Sequence, residues 1–208
     1  ALISAMQDHQ KYFPVKDKSG KLMPYFITVA NIESEDPGVV RAGNERVILP
    51  RLDDAMFFYQ RDLSTPLIQH CEQLKKVVFQ KQLGTLYEKT ERVKKLTQYI
   101  VQEMQLDSLL QTQAGRAAEL SKCDLLTGMV GEFPELQGIM GCVYAKAQGE
   151  PEAIAIALEE HYMPRHAGDA LPGNSLGIAL AIADKLDTLG GIFSIGLHPS
   201  GDKDPFAL

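Results

Sequence analysis

Apolar residues in this chain change their spacing after about position 33. In 11–32, "KYFPVKDKSGKLMPYFITVANI", two runs rich in aromatic and β-branched residues flank "DKSG". That pattern predicts a hairpin, with Gly20 supplying the positive φ that a tight turn demands. Beyond "ESEDPG", the positions Ile48, Leu52, Ala55, Met56, Tyr59 and Leu63 recur at spacings of three and four, one face of a helix. Pro50 must start or kink that helix, since it donates no backbone N–H and its ring crowds the preceding turn.

From about residue 65 the pattern is helical nearly throughout, in segments near 65–82, 85–104, 112–130, 135–148, 150–162 and 174–190. Breakers separate them: Gly84, "FPE" at 133–135, "QGEP" at 148–151 and "LPGN" at 171–174. The expected organisation is a small α+β piece over 1–64 followed by an all-α bundle over 65–208. Two of the apolar helices carry a carboxylate close to the buried stripe. Asp124 lies in "AAELSKCDLLTGMVGEF" and Asp184 in "LGIALAIADKLDTLGGIF", with Asp187 one turn on and expected at the surface. A carboxylate in such a place must be paired, hydrogen-bonded or ligated.

Composition narrows the class. With 208 residues, 45% of them hydrophobic and 23% charged, the chain can bury one large core or two small ones. No apolar run is long enough for a membrane span, and the first residues lack the order of a secretion signal, so a cytoplasmic protein with no membrane partner is expected. Cys71, Cys123 and Cys142 are odd in number and widely spaced, which predicts buried free thiols rather than a disulfide framework or a zinc site.

The net charge of -6 is unevenly spread. Residues 73–95 hold Lys75, Lys76, Lys81, Lys89, Arg92, Lys94 and Lys95 against Glu88 and Glu91, a local +5 that leaves -11 for the rest. Such a segment is either a solvated helix face or a track for an RNA backbone, and composition leaves both open. Phe79 and Tyr87 are spaced like core residues.

In "EEHYMPRHAGDALP", 159–172, only His161 belongs to the preceding helix, while His166 and Asp169 lie in the turn. His161, Asp124 and Asp184 come from three helices and make a candidate metal set. A hydrogen-bonded helix corner explains His161 equally. The chain has no GxSxG, no HExxH and no phosphate loop, so its motifs support no catalytic residue.

Nine blocks, among them "SAMQDHQKYFPV", "PRLDDAMFFYQRDL", "FQKQLGTLYEKTERV", "SKCDLLTGMVGEFPELQGIMG", "HYMPRHAGDALP", "ADKLDTLGGIFSIG" and "GDKDPFAL", make the chain resemble, end to end and in order, the β subunit of the bacterial two-subunit glycyl-tRNA synthetase. The resemblance implies an internal fragment, about a third of that subunit, of a cytoplasmic, nucleotide-binding aminoacyl-tRNA synthetase. That enzyme is a glycine–tRNA ligase of protein biosynthesis, which uses ATP and magnesium to join glycine to its tRNA. Its partners would be the α subunit, which holds the activating site, and tRNA for glycine, in an α2β2 heterotetramer.

The fragment itself would be non-catalytic and without a cofactor. It would be mainly α: the end of a B3/B4-like domain over 1–64, then an HD-domain-like helical bundle over 65–208. HD-type phosphohydrolases hold metal through a His, an adjacent His-Asp pair and a final Asp. Here those positions fall at about Lys89, then at Ser121 and Lys122 or at Cys123 and Asp124, and at Asp184. Only the final Asp is retained, so Lys89 or Lys122 is expected to salt-bridge Asp124 or Asp184 where an ion would sit. The tRNA-facing candidates are Lys75, Lys76, Lys81, Lys89, Arg92, Lys94, Lys95 and Arg165. A residual metal-dependent phosphohydrolase using His161, Asp124 and Asp184 is the alternative.

Overall fold

The computed structural model of the chain describes residues 2–31 and 33–199; the block "GDKDPFAL" lies outside the described residues. The first residues form a short helix α1 (Leu2–Ser4) that runs into a π-helical turn, Ala5–His9. Strands β1 (Phe13–Lys16) and β2 (Leu22–Ile27) pair antiparallel, with Phe13 opposite Ile27. The turn between them closes as the residues require. Asp17 accepts bonds from the backbone N–H groups of Ser19 and Lys21 at 2.8 and 3.0 Å, and Gly20 sits at φ +84°. Tyr12 stacks on Phe26 and joins Met6, Ile48 and Leu52 in a small apolar cluster under the hairpin.

Helix α2 (Pro37–Leu63) begins well before the position that the apolar spacing marks. Asp36 caps it, accepting from Gly38 N at 2.8 Å, and Pro37 takes the first helical position, where a missing N–H is harmless. Pro50 therefore lies inside the helix and does not start it. At the other end, Asp62 is a buried carboxylate that accepts from Gly128 N, Met129 N and Tyr144 Oη at 2.9, 2.8 and 2.8 Å. These three bonds fasten the end of α2 to the bundle.

The helix expected over 65–82 is a 3₁₀ segment, Leu67–Lys76, followed by a two-stranded ribbon of β3 (Val78–Gln80) and β4 (Gly84–Thr85). Leu67, Cys71 and Leu74 are buried at helical spacing, which a 3₁₀ segment satisfies over so short a length. Helix α3 (Leu86–Glu103) starts with a reciprocal capping box between Thr85 and Glu88. The single helix expected over 112–130 is broken into α4 (Ser108–Leu120), a 3₁₀ turn (Cys123–Leu126) and α5 (Gly128–Glu132), which Thr127 caps. A 3₁₀ turn at Pro134–Leu136 leads to α6 (Ile139–Ala147), then α7 (Glu152–Glu160) and α8 (Ser175–Ser194), the last capped by Asn174.

Among the described residues the fold is mainly helical, and no helix is long and apolar enough to cross a membrane. α8 packs between α3 and α7, α3 also against α4, and α7 against α6. Leu74, Val93, Val101, Leu120, Phe133, Tyr144, Ile154, Leu158, Leu176 and Leu180 are buried completely or nearly so. Burying each of the aliphatic ones contributes on the order of 2 kcal/mol before entropy is counted.

Candidate functional site

The middle of α8 presents its polar residues to three other elements. Asp184, Asp187 and Thr188 share one face at spacings of three and four, and α3 brings Lys89 and Arg92 against that face. Lys89 Nζ lies 3.1 Å from Asp184 Oδ1 and 3.2 Å from Asp187 Oδ2, and donates to Thr188 Oγ1 at 2.7 Å. Arg92 grips Asp187 with two nitrogens, Nε at 2.6 Å and Nη2 at 3.1 Å, and donates Nη1 to the Leu83 carbonyl. Asp187 is thus buried and doubly paired, which corrects its expected place at the surface.

On the far side of Asp184 stands Lys122, in the turn just past α4. Its Nζ donates to Asp184 Oδ2 at 3.1 Å and to His161 Nε2 at 2.9 Å, and lies 4.2 Å from the centre of the Tyr162 ring. An ammonium has no lone pair to offer, so Nε2 is the acceptor and the imidazole proton sits on Nδ1, which donates to the Leu158 carbonyl at 2.8 Å. His161 is the corner residue that ends α7 and is completely buried. Burial first, and then the Lys122 charge, hold its pKa well below the ordinary 6.5. For Asp184, burial pushes the carboxyl pKa up, but Lys122 and Lys89 together outweigh it and hold the group well below the usual carboxylate range. Lys185, the next residue, donates Nζ to the carbonyls of His161 and Met163 at 3.3 and 2.8 Å and so ties α8 to the same corner.

Asp124 faces elsewhere. Its Oδ2 accepts from Gly138 N at 2.6 Å and Gly141 N at 3.1 Å, the start of α6, where a carboxylate meets unpaired N–H groups. Burial raises its pKa to about 6 against those bonds and the more distant Lys122. The three residues offered as a metal set are therefore not turned to one point. Lys122 stands between His161 and Asp184, and Asp124 is engaged by backbone. Among the described residues no group of three or more His, Cys, Asp or Glu has the geometry to hold an ion. An ammonium bonded to both the ring nitrogen and the carboxylate does not fit a divalent cation in the same place.

The cations predicted to face RNA divide. Lys89 is buried and Arg92 partly so, both directed at α8, so Lys89 is not part of a surface track. Lys94 reaches toward Glu119 at 3.7 Å, and Lys75 pairs with Glu72 and lies over the Tyr87 ring. Lys76, Lys81, Lys95 and Arg165 are exposed. Arg165 and His166 border a cavity of about 450 Å³ whose wall includes Asp184 and Lys185. The sequence pattern did not reveal Asp187 and Thr188 as partners or Asp62 as a buried clamp. The spacing of Asp187 and Thr188 from Asp184 was the available signal.

Fold and site together define a class: a helical module whose polar centre is closed by lysine–carboxylate pairs. The comparisons are more specific. The family model described as "Glycyl-tRNA synthetase beta subunit" matches residues 1–208, and the chain belongs to that family. It is 58% identical to the glycine–tRNA ligase β subunits of Pseudomonas putida (strain W619) and Pseudomonas savastanoi pv. phaseolicola, and 57% identical to that of Stutzerimonas stutzeri (strain A1501). Each alignment covers all of this chain and 30% of the relative, so the chain spans about a third of the length of the curated relatives that it matches.

Proposed function

We propose that this chain is a tRNA-holding and assembly part of the β subunit of a glycine–tRNA ligase, and that it performs no catalytic step itself. In this reading the whole enzyme attaches glycine to its tRNA with ATP and magnesium, in an α2β2 assembly. The bundle over 65–208 is an HD-like scaffold, and 1–64 is the end of a B3/B4-like domain. One observation carries the reading: the basic segment is split by the fold. Lys89 and Arg92 are directed inward onto Asp184 and Asp187, where with Lys122 they occupy the polar centre. Lys76, Lys81 and Lys95 remain at the surface of the same stretch. Such side chains meet phosphates without reading bases, so they position a tRNA rather than select it.

Charge reversal of Lys76, Lys81 and Lys95 to Glu in the full tetramer tests this. The expected result is weaker tRNA binding, with the slope of log affinity against log salt shallower by about one for each phosphate that a lysine no longer neutralises. An unchanged slope removes these residues from the tRNA surface. An unchanged slope together with a dissociated tetramer assigns the face to subunit pairing instead.

A further inference from the structure

The three cysteines are unequal in their surroundings. Cys71, on the 3₁₀ segment Leu67–Lys76, and Cys123, on the 3₁₀ turn Cys123–Leu126, bring their sulfurs to 2.8 Å. Both sulfurs also lie within reach of one acceptor, the Glu119 carbonyl at the end of α4, at 3.1 and 3.4 Å. Cys142 lies buried on α6. Cys71 is 8% exposed and Cys123 is wholly enclosed, so a small oxidant meets Cys71 first and finds Cys123 directly behind it.

The geometry points to a redox modification site: Cys71 and Cys123 form a reversible disulfide when the protein meets a peroxide. With the Cys123 S–H turned onto the Cys71 sulfur, the Cys71 pKa is lowered and that of Cys123 raised, and burial raises that of Cys142, so thiolate character favours Cys71. In the first step the Cys71 thiolate attacks one peroxide oxygen. The O–O bond breaks, the other oxygen leaves as hydroxide and becomes water, and Cys71 is left as a sulfenic acid, oxidised by two electrons. In the second, the Cys123 sulfur attacks the Cys71 sulfur. The S–O bond breaks as S–S forms, and hydroxide leaves with the Cys123 proton as a second water. Two thiols and one peroxide thus give one disulfide and two waters. The bond ties the 3₁₀ segment bearing Lys75 and Lys76 to the turn bearing Lys122.

The test uses the full-length chain in its natural assembly. It is exposed to hydrogen peroxide, quenched in acid, alkylated under denaturing conditions and digested. The expected product is a linked pair of peptides containing Cys71 and Cys123, lighter by two hydrogens, absent after dithiothreitol, with Cys142 alkylated throughout. In a Cys123→Ser variant, dimedone is expected to tag Cys71, whose sulfenic acid then has no partner. Cys71 and Cys123 both recovered singly alkylated from the wild type overturn the proposal, as does a linkage that uses Cys142 or a variant whose Cys71 takes no tag.

Discussion

Lys122 carries a full charge into a space from which water is nearly excluded, and it is tolerated because every direction it can donate in is answered. The Asp184 carboxylate takes one bond, the neutral His161 nitrogen another, and the Tyr162 ring lies against a third side. Replacing Lys122 by Met leaves Asp184 with half its compensation and His161 without a donor. The expected loss is about 3–5 kcal/mol of local stability, read as faster hydrogen exchange of α8 amides in the full-length subunit. An exchange pattern identical to wild type sinks the claim that this pairing holds the centre.

His161 gives a second prediction with a definite sign. Its pKa is lowered by folding, so as pH falls below the ordinary 6.5 the unfolded chain takes up a proton that the folded chain refuses. Stability from this group is full above that value and is lost on acidification, by at most about 1.4 kcal/mol per pH unit. Asp124, raised to about 6, works the other way over part of the range because its folded form takes up the proton first. The comparison with His161→Gln separates the two. The advantage of wild type over the variant in thermal unfolding must narrow from pH 7.5 to 5, and a constant gap refutes a neutral imidazole.

At the scale of elements, what could be read from the sequence and what could not have physical causes. The hairpin, α3, α7 and α8 were legible because long runs keep one period and their ends carry caps or breakers. The 3₁₀ segment Leu67–Lys76 was not, since Leu67, Cys71 and Leu74 bury one side just as a helix would. The start of α2 was missed for the opposite reason. Its first turns expose Val39 and carry no apolar stripe, so only Asp36–Pro37 announced it. The break after α4 has no marker in the hydrophobic pattern at all, because Leu120 before it, Cys123 within it and Val130 beyond it all stay buried. The site followed the same division: the family resemblance led to Lys89 or Lys122 on Asp124 or Asp184, and both lysines meet Asp184 while backbone N–H groups hold Asp124; Arg92 to Asp187 needed the helix faces brought together.

Gly138 shows how tightly these joints are made. It holds φ +79°, and an added Cβ would come to 2.6 Å from Cδ2 of Tyr162 and 3.1 Å from the Leu158 carbonyl. It is also the residue whose N–H meets Asp124. Gly138→Ala is therefore expected to lower stability by about 1–3 kcal/mol from backbone strain alone and to loosen the start of α6. Hydrogen exchange confined to α6 and the residue 124 turn checks the location; an unaltered melting temperature rules it out.

Over the whole molecule, acidic residues predominate while the cations of one segment are shared between interior and surface. From the interior share Lys89, joined by Lys122 from outside the segment, supplies the positive charge that faces Asp184. Incubation of the full-length subunit with EDTA is accordingly expected to leave its thermal unfolding unchanged, and a fall of several degrees would reveal a structural ion. Because α8 alone provides Asp184, Lys185, Asp187 and Thr188, it grips α3, the Lys122 turn and the His161 corner simultaneously. A load applied anywhere along that rod must be felt by all three at once, so the bundle is expected to yield as one stiff body, with any flexing displaced to the segments that flank it.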